Sequence, residues 1–228
     1  MEKVIAGLGL LLSLHTGSIF GQSLKYAPFS EIAMTPEAEI ALARSAAPDN
    51  ISSHAMIKIL TPSGFKVATQ GDNGFVCIVM RGWGAPTFSP AFLRDLVYDP
   101  KMRAPICFNP VAVKTVLPLQ EFRTKLGMEG KTPDEITAGV QTAYSRGDLP
   151  KMDTVALAYM FSADQYLGPM AGHWHPHVMI YTPNWDNAMV GGNQIGGPLP
   201  AITDDGGTPF AVLVIPVDPA FSVKAAVK

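Results

Sequence analysis

Six consecutive apolar residues, Phe75-Val76-Cys77-Ile78-Val79-Met80, constrain this chain more than any other stretch. Successive side chains of a strand point to opposite faces, so a strand of this composition is buried on both sides and belongs in the interior of a sheet. Residues 210–215, Phe-Ala-Val-Leu-Val-Ile, make the same demand near the other end of the chain. Strand-like runs at 54–60 and 65–70 precede the first of these. They are set off by Thr61-Pro62-Ser63-Gly64 and Gly71-Asp72-Asn73-Gly74, both dense in residues that make tight reversals. The local reading is an antiparallel meander over residues 54–81.

Helix signals lie between and around the strands. Thr35-Pro36-Glu37 offers a cap, a proline at the first helical position and an acid in the first turn, and Pro48 ends the run. Asn109-Pro110 opens a second helix, residues 118–126 a third, and residues 92–98, following Ser89-Pro90, a short fourth. Thr132-Pro133-Asp134-Glu135 is a capping box and Gly147 a stop, which predicts a helix over 133–146. A second strand set follows at 154–161, 176–182 and 209–217, with a glycine-rich loop over 183–208. The fold class expected is α+β: a largely antiparallel sheet, made of the N-terminal meander and the C-terminal strand set, with helices packed on one side. Each strand set is too small to bury its faces alone, so residues 22–228 are read as a single domain.

Residues 1–21 have a charged start, an apolar run over residues 4–14 and a small-residue exit, the order of a secretory signal peptide. That run falls short of a bilayer core of about 30 Å, so no membrane span is expected in the mature chain. Localisation is read as extracytoplasmic, periplasmic or secreted. Removing these residues leaves the formal charge at −2, with 16 basic and 18 acidic side chains and no basic patch to bind nucleic acid. Cys77 and Cys107 are the only cysteines. In an exported protein they are expected as a disulfide, whose loop of about 30 residues stabilises by roughly 3 kcal/mol. The alternative is a reactive thiol at Cys107, although no base adjoins it.

The candidate chemistry lies in Gly172-His173-Trp174-His175-Pro176-His177, which holds three of the five histidines. In an extended chain His173, His175 and His177 share a face with Met179 and Tyr181, about 6–7 Å apart in sequence-alternate steps, while Trp174 points the other way. Three such imidazoles are a ligand set for a divalent transition metal, zinc or copper, with Asp164, Asp186 and Tyr181 as neighbouring pocket candidates. The alternative is a structural cluster bonded to backbone. Function is accordingly read in two ways. One is a binding or structural domain with a histidine-lined pocket, with or without a metal; the other is a metal-dependent hydrolase or oxidase with Asp186 or Asp164 as base. The chain has no G-x-S-x-G and no H-E-x-x-H, and Gly191-Gly192-Asn193-Gln194-Ile195-Gly196-Gly197 lacks the lysine of a phosphate loop.

The helix at 36–47, Asn73-Gly74-Phe75-Val76-Cys77, Pro105-Ile106-Cys107-Phe108-Asn109-Pro110 and His175-Pro176-His177-Val178-Met179 together resemble a loosely defined group of exported bacterial proteins of unassigned function. The resemblance implies export and a globular fold, and no particular activity or partner.

Overall fold

The computed structural model describes residues 28–85, 87–203 and 205–226. The signal-peptide reading of residues 1–21 lies outside them. Among the described residues the fold is α+β, with one eight-stranded, mostly antiparallel sheet. Its strands are β1 (Met56–Thr61), β2 (Gly64–Thr69), β3 (Val76–Gly84), β4 (Val97–Phe108), β5 (Ala156–Met160), β6 (His177–Tyr181), β7 (Ala201–Ile202) and β8 (Val212–Pro216), ordered β2-β1-β3-β4-β5-β6-β8-β7. The helices are α1 (Phe29–Ile32), α2 (Pro36–Arg44), α3 (Asp49–Ser52), α4 (Pro110–Thr115), α5 (Leu117–Met128) and α6 (Pro133–Arg146).

β3 is interior, as its composition requires, but it reaches that place by a route the turn residues do not reveal. It pairs with β1 in parallel, and β2 is left at the sheet edge. After β2 the chain crosses the start of β1 instead of turning back beside β2. The amides of Asp72 and Asn73 donate to the His54 carbonyl, and Met56 donates to the Phe75 carbonyl. The crossing is so close that a Cβ on Gly71 would stand 2.2 Å from the Met56 nitrogen, so only glycine fits. The physical reason is burial. β2 is partly solvated along its length and suits the edge, whereas a meander would place it inside the sheet and leave β1, with Ile57 and Leu60 buried, as the exposed edge.

The segment predicted as a helix over 92–98 contains only a helical turn of three residues, Leu93–Asp95. From Val97 the chain is extended, pairing Val97, Tyr98 and Asp99 with Gly84, Trp83 and Gly82. β4 meets β5 through only two residue pairs, Cys107 with Tyr159 and Phe108 with Ala158. Beyond them the loop after β5 reaches back to β4, where Arg103 and Tyr166 exchange backbone hydrogen bonds.

Side chains alternate cleanly along the sheet, and each face has its own cover. Val76, Ile78, Ile106, Phe108 and Ala158 form the larger core with α4, α5 and α6. Cys77, Val79 and Cys107 face the opposite way, toward Leu42 and Ala43 of α2 and the alanines that follow it. Most helical mass therefore lies on one face, with α2 closing the other. Local chemistry fixes the helices. In α6 the Glu135 amide donates to Thr132 Oγ1 at 3.3 Å and the Thr132 amide to Glu135 Oε2 at 2.8 Å; Gly147 closes it at φ 77°. Asn109 Oδ1 accepts from Ala112 at the start of α4 and from Leu157 in β5, tying helix and sheet together. Cys77 and Cys107 are bonded as a disulfide between register partners on β3 and β4. No helix among the described residues is long and apolar enough to cross a membrane.

Candidate functional site

Extended structure begins only at His177, so the histidine segment does not present three imidazoles on one strand face. Gly172 at φ 58° and Pro176, which has no amide to donate, hold residues 172–175 out of the ladder. Each ring then finds its own surroundings. His173 is exposed; its Nδ1 donates to the Gln165 carbonyl at 2.7 Å, and its ring lies 5.3 Å from that of Tyr166. His175 and His177 lie on the Trp174 ring, both at 4.7 Å between centroids, where an extended chain would have set Trp174 on the far side. His177 is buried, and its Nδ1 donates to the His175 carbonyl at 3.0 Å. Burial, with His175 beside it, holds the His177 ring down at about 4 in spite of that hydrogen bond, so it is neutral at ordinary pH.

The candidate acids lie apart from it. Asp164 is exposed and accepts from the Ala225 amide at 2.8 Å. Asp186 caps a helical turn by accepting from Met189 at 3.1 Å. Among the described residues no three His, Cys, Asp or Glu side chains come together as a set that would hold a metal. The expected site thus separates into single groups, and only His177 and Tyr181 remain on one buried face.

That face borders a cavity of about 230 Å³ over the centre of the sheet, which includes His177 in its wall. The sheet contributes Met80 from β3, Met102 and Ala104 from β4, Met160 from β5, Met179 from β6 and Val214 from β8. These positions are in cross-strand register: Met80 opposite Ala104, Met160 opposite His177, Met179 opposite Val214. The other walls come from α5, from Phe88, from residues 167–171 with Trp174, and from Ile195 and Thr203 of the long loop. Five methionines line this space. Thioethers on flexible, unbranched chains adapt to irregular apolar shapes.

One wall group is out of character. Arg123 on α5 is 5% exposed and borders the cavity. Its Nη2 donates to Gln120 Oε1 at 2.8 Å, and it has no ion pair among the described residues. Burial pushes its pKa down to about 10, which leaves it cationic at neutral pH; the nearby Tyr181 hydroxyl is pushed up by burial. The other buried arginine is handled differently. On the opposite face Arg81 Nη1 meets Glu39 Oε2 at 2.8 Å, both side chains almost fully covered. Beside Arg123 the hydroxyl of Tyr181 and the Nε2 of Gln120 are buried without a hydrogen-bond partner among the described residues, as is the hydroxyl of Thr203 elsewhere in the cavity wall. The acid of the cavity wall, Asp99, is engaged by the Lys101 amide at 2.8 Å and by the Tyr166 hydroxyl.

Sequence reasoning missed Arg123, although a signal was present. Leu119, Gln120, Arg123 and Gly127 follow helical spacing and form the buried stripe of α5, so a glutamine and an arginine stand where apolar residues were due. Gly127 belongs to the same stripe because Trp83 packs against it, with its Cδ1 2.6 Å from where a Cβ would be. Comparison of the chain with protein-family models, with curated proteins and with solved structures returned no match.

Proposed function

We propose that this chain is an exported binding protein whose cavity, over the centre of the sheet, holds a small and largely apolar molecule. The observation that carries this reading is the cavity itself. A single water needs only about 10–15 Å³ in the same measure, so the space is far larger than one water requires. At about 230 Å³, bordered by methionines, Phe88 and Trp174, the space is of a size and character that suits an organic ligand. His177 takes part as a neutral element of the wall. Export is supported by the Cys77–Cys107 disulfide, a bond that persists in oxidising compartments, and by the charged-then-apolar N-terminal pattern.

The test is titration with N-phenyl-1-naphthylamine, a neutral dye that brightens in apolar surroundings, against the wild-type protein and Ala104→Phe. Ala104 lines the cavity, so the phenyl ring occupies ligand space. Saturable one-to-one binding that weakens at least tenfold in a variant of unchanged circular dichroism is the expected result. Equal binding to both proteins would show that the dye sits elsewhere and would remove the basis of the reading.

A further inference from the structure

We infer that the natural ligand is an amphipathic monocarboxylate, with its head group paired to Arg123 and its apolar body lying among the methionines. The inference rests on the cavity reading above and names the ligand class.

Burying a cation without a counter-ion is unfavourable, and proteins offset it with a carboxylate, as Glu39 does for Arg81. Arg123 is as deeply buried as Arg81 and has Gln120 alone as a hydrogen-bond partner, yet it faces an open space. Gln120 holds the guanidinium through its carbonyl oxygen and contributes no charge. The wall also carries the Thr203 hydroxyl, buried and unpartnered among the described residues, as a second donor for an anionic oxygen. Asp99 leaves Arg123 uncompensated because its charge acts on Arg103, while the one side chain that acts electrostatically on Arg123 is Tyr181.

One cation and one hydroxyl match a single negative charge. The planar guanidinium fork fits the two oxygens of a carboxylate, whereas a phosphate dianion would leave charge unbalanced. Apart from His177 and Asp99 the remaining wall is apolar and adaptable, so the body of the ligand is hydrocarbon in character.

The experiment is isothermal titration of the full protein at pH 7 with three probes of one chain length: octanoate, 1-octanol and octylamine. Octanoate is expected to bind at least tenfold more tightly than 1-octanol, and octylamine to bind worst. In Arg123→Met, which replaces the cation with an apolar chain of similar length, the preference of octanoate over 1-octanol should fall to about one. The comparison among probes on the wild-type protein needs no variant, so the inference remains testable if Arg123→Met fails to fold. Equal binding of octanoate and 1-octanol, tighter binding of octylamine, or an octanoate preference that survives in a folded Arg123→Met would each overturn it. Failure of all three probes would overturn it as well. The naphthylamine titration then decides whether the cavity reading falls too, because that dye carries no charge.

Discussion

The buried His177 makes stability depend on pH in a way that can be worked through. In the unfolded chain its imidazole takes up a proton below about pH 6.5; in the fold it does so only below about pH 4. Between these values the unfolded state binds more protons, so acid favours unfolding and stability falls as pH drops through the window. Linkage gives a loss of about 2 kcal/mol by pH 5 and about 3 kcal/mol by pH 4, relative to pH 7. The ring is 4% exposed, so solvent does little to soften the effect. The assay is urea unfolding of the wild type and His177→Asn at pH 7, 6, 5 and 4. Asparagine retains a donor for the His175 carbonyl but does not titrate, and subtracting the two series cancels the other ionisable groups. The wild type should lose its advantage over the variant by about 2 kcal/mol at pH 5. A difference that stays level, or grows in acid, would refute the claim that His177 is held neutral by burial.

Two further outcomes follow from the opposite face of the sheet. Replacing Cys77 and Cys107 by alanine opens a bridge spanning 30 residues of sequence, which should cost about 3.5 kcal/mol in guanidinium unfolding; an unchanged midpoint would refute the claim that the bridge stabilises by restricting the unfolded chain. Arg81→Met strands the Glu39 carboxylate, leaving it the Leu60 amide, and should cost about 3–5 kcal/mol, whereas adding Glu39→Leu should recover most of it; equal losses in the single and double variants would argue against a paired role.

What was legible in the sequence was what short-range chemistry decides. The cap at Thr132, the stop at Gly147 and the start at Asn109-Pro110 involve residues within one or two turns, and the structure has those boundaries. The interior place of β3 was legible because six apolar residues leave no other solution. The parallel pairing of β1 with β3 was not, because a Gly-Asp-Asn-Gly cluster permits a reversal and a crossing alike. That choice depends on the burial of strands far apart in the chain. β4 was taken for a helix at its start because residues 92–98 carry apolar side chains at helical spacing, while its partner on β3 lies more than ten residues upstream. At the site, alternation along 173–177 held only from His177 onward, because glycine and proline keep the preceding residues out of the strand. Arg123 was not singled out, because which face of α5 is buried depends on how that helix meets the sheet.

The cavity is built from two kinds of material. Its sheet wall consists of residues in ladder register, with β3 and β4 bonded by the disulfide behind them; much of the opposite wall comes from residues 167–171, Trp174, Ile195 and Thr203, outside the regular ladder except where β7 ends nearby. In evolutionary terms the two are separable. Substitutions in the loop wall can change what enters without disturbing a hydrogen bond of the ladder, so selection can change the ligand while the fold is retained.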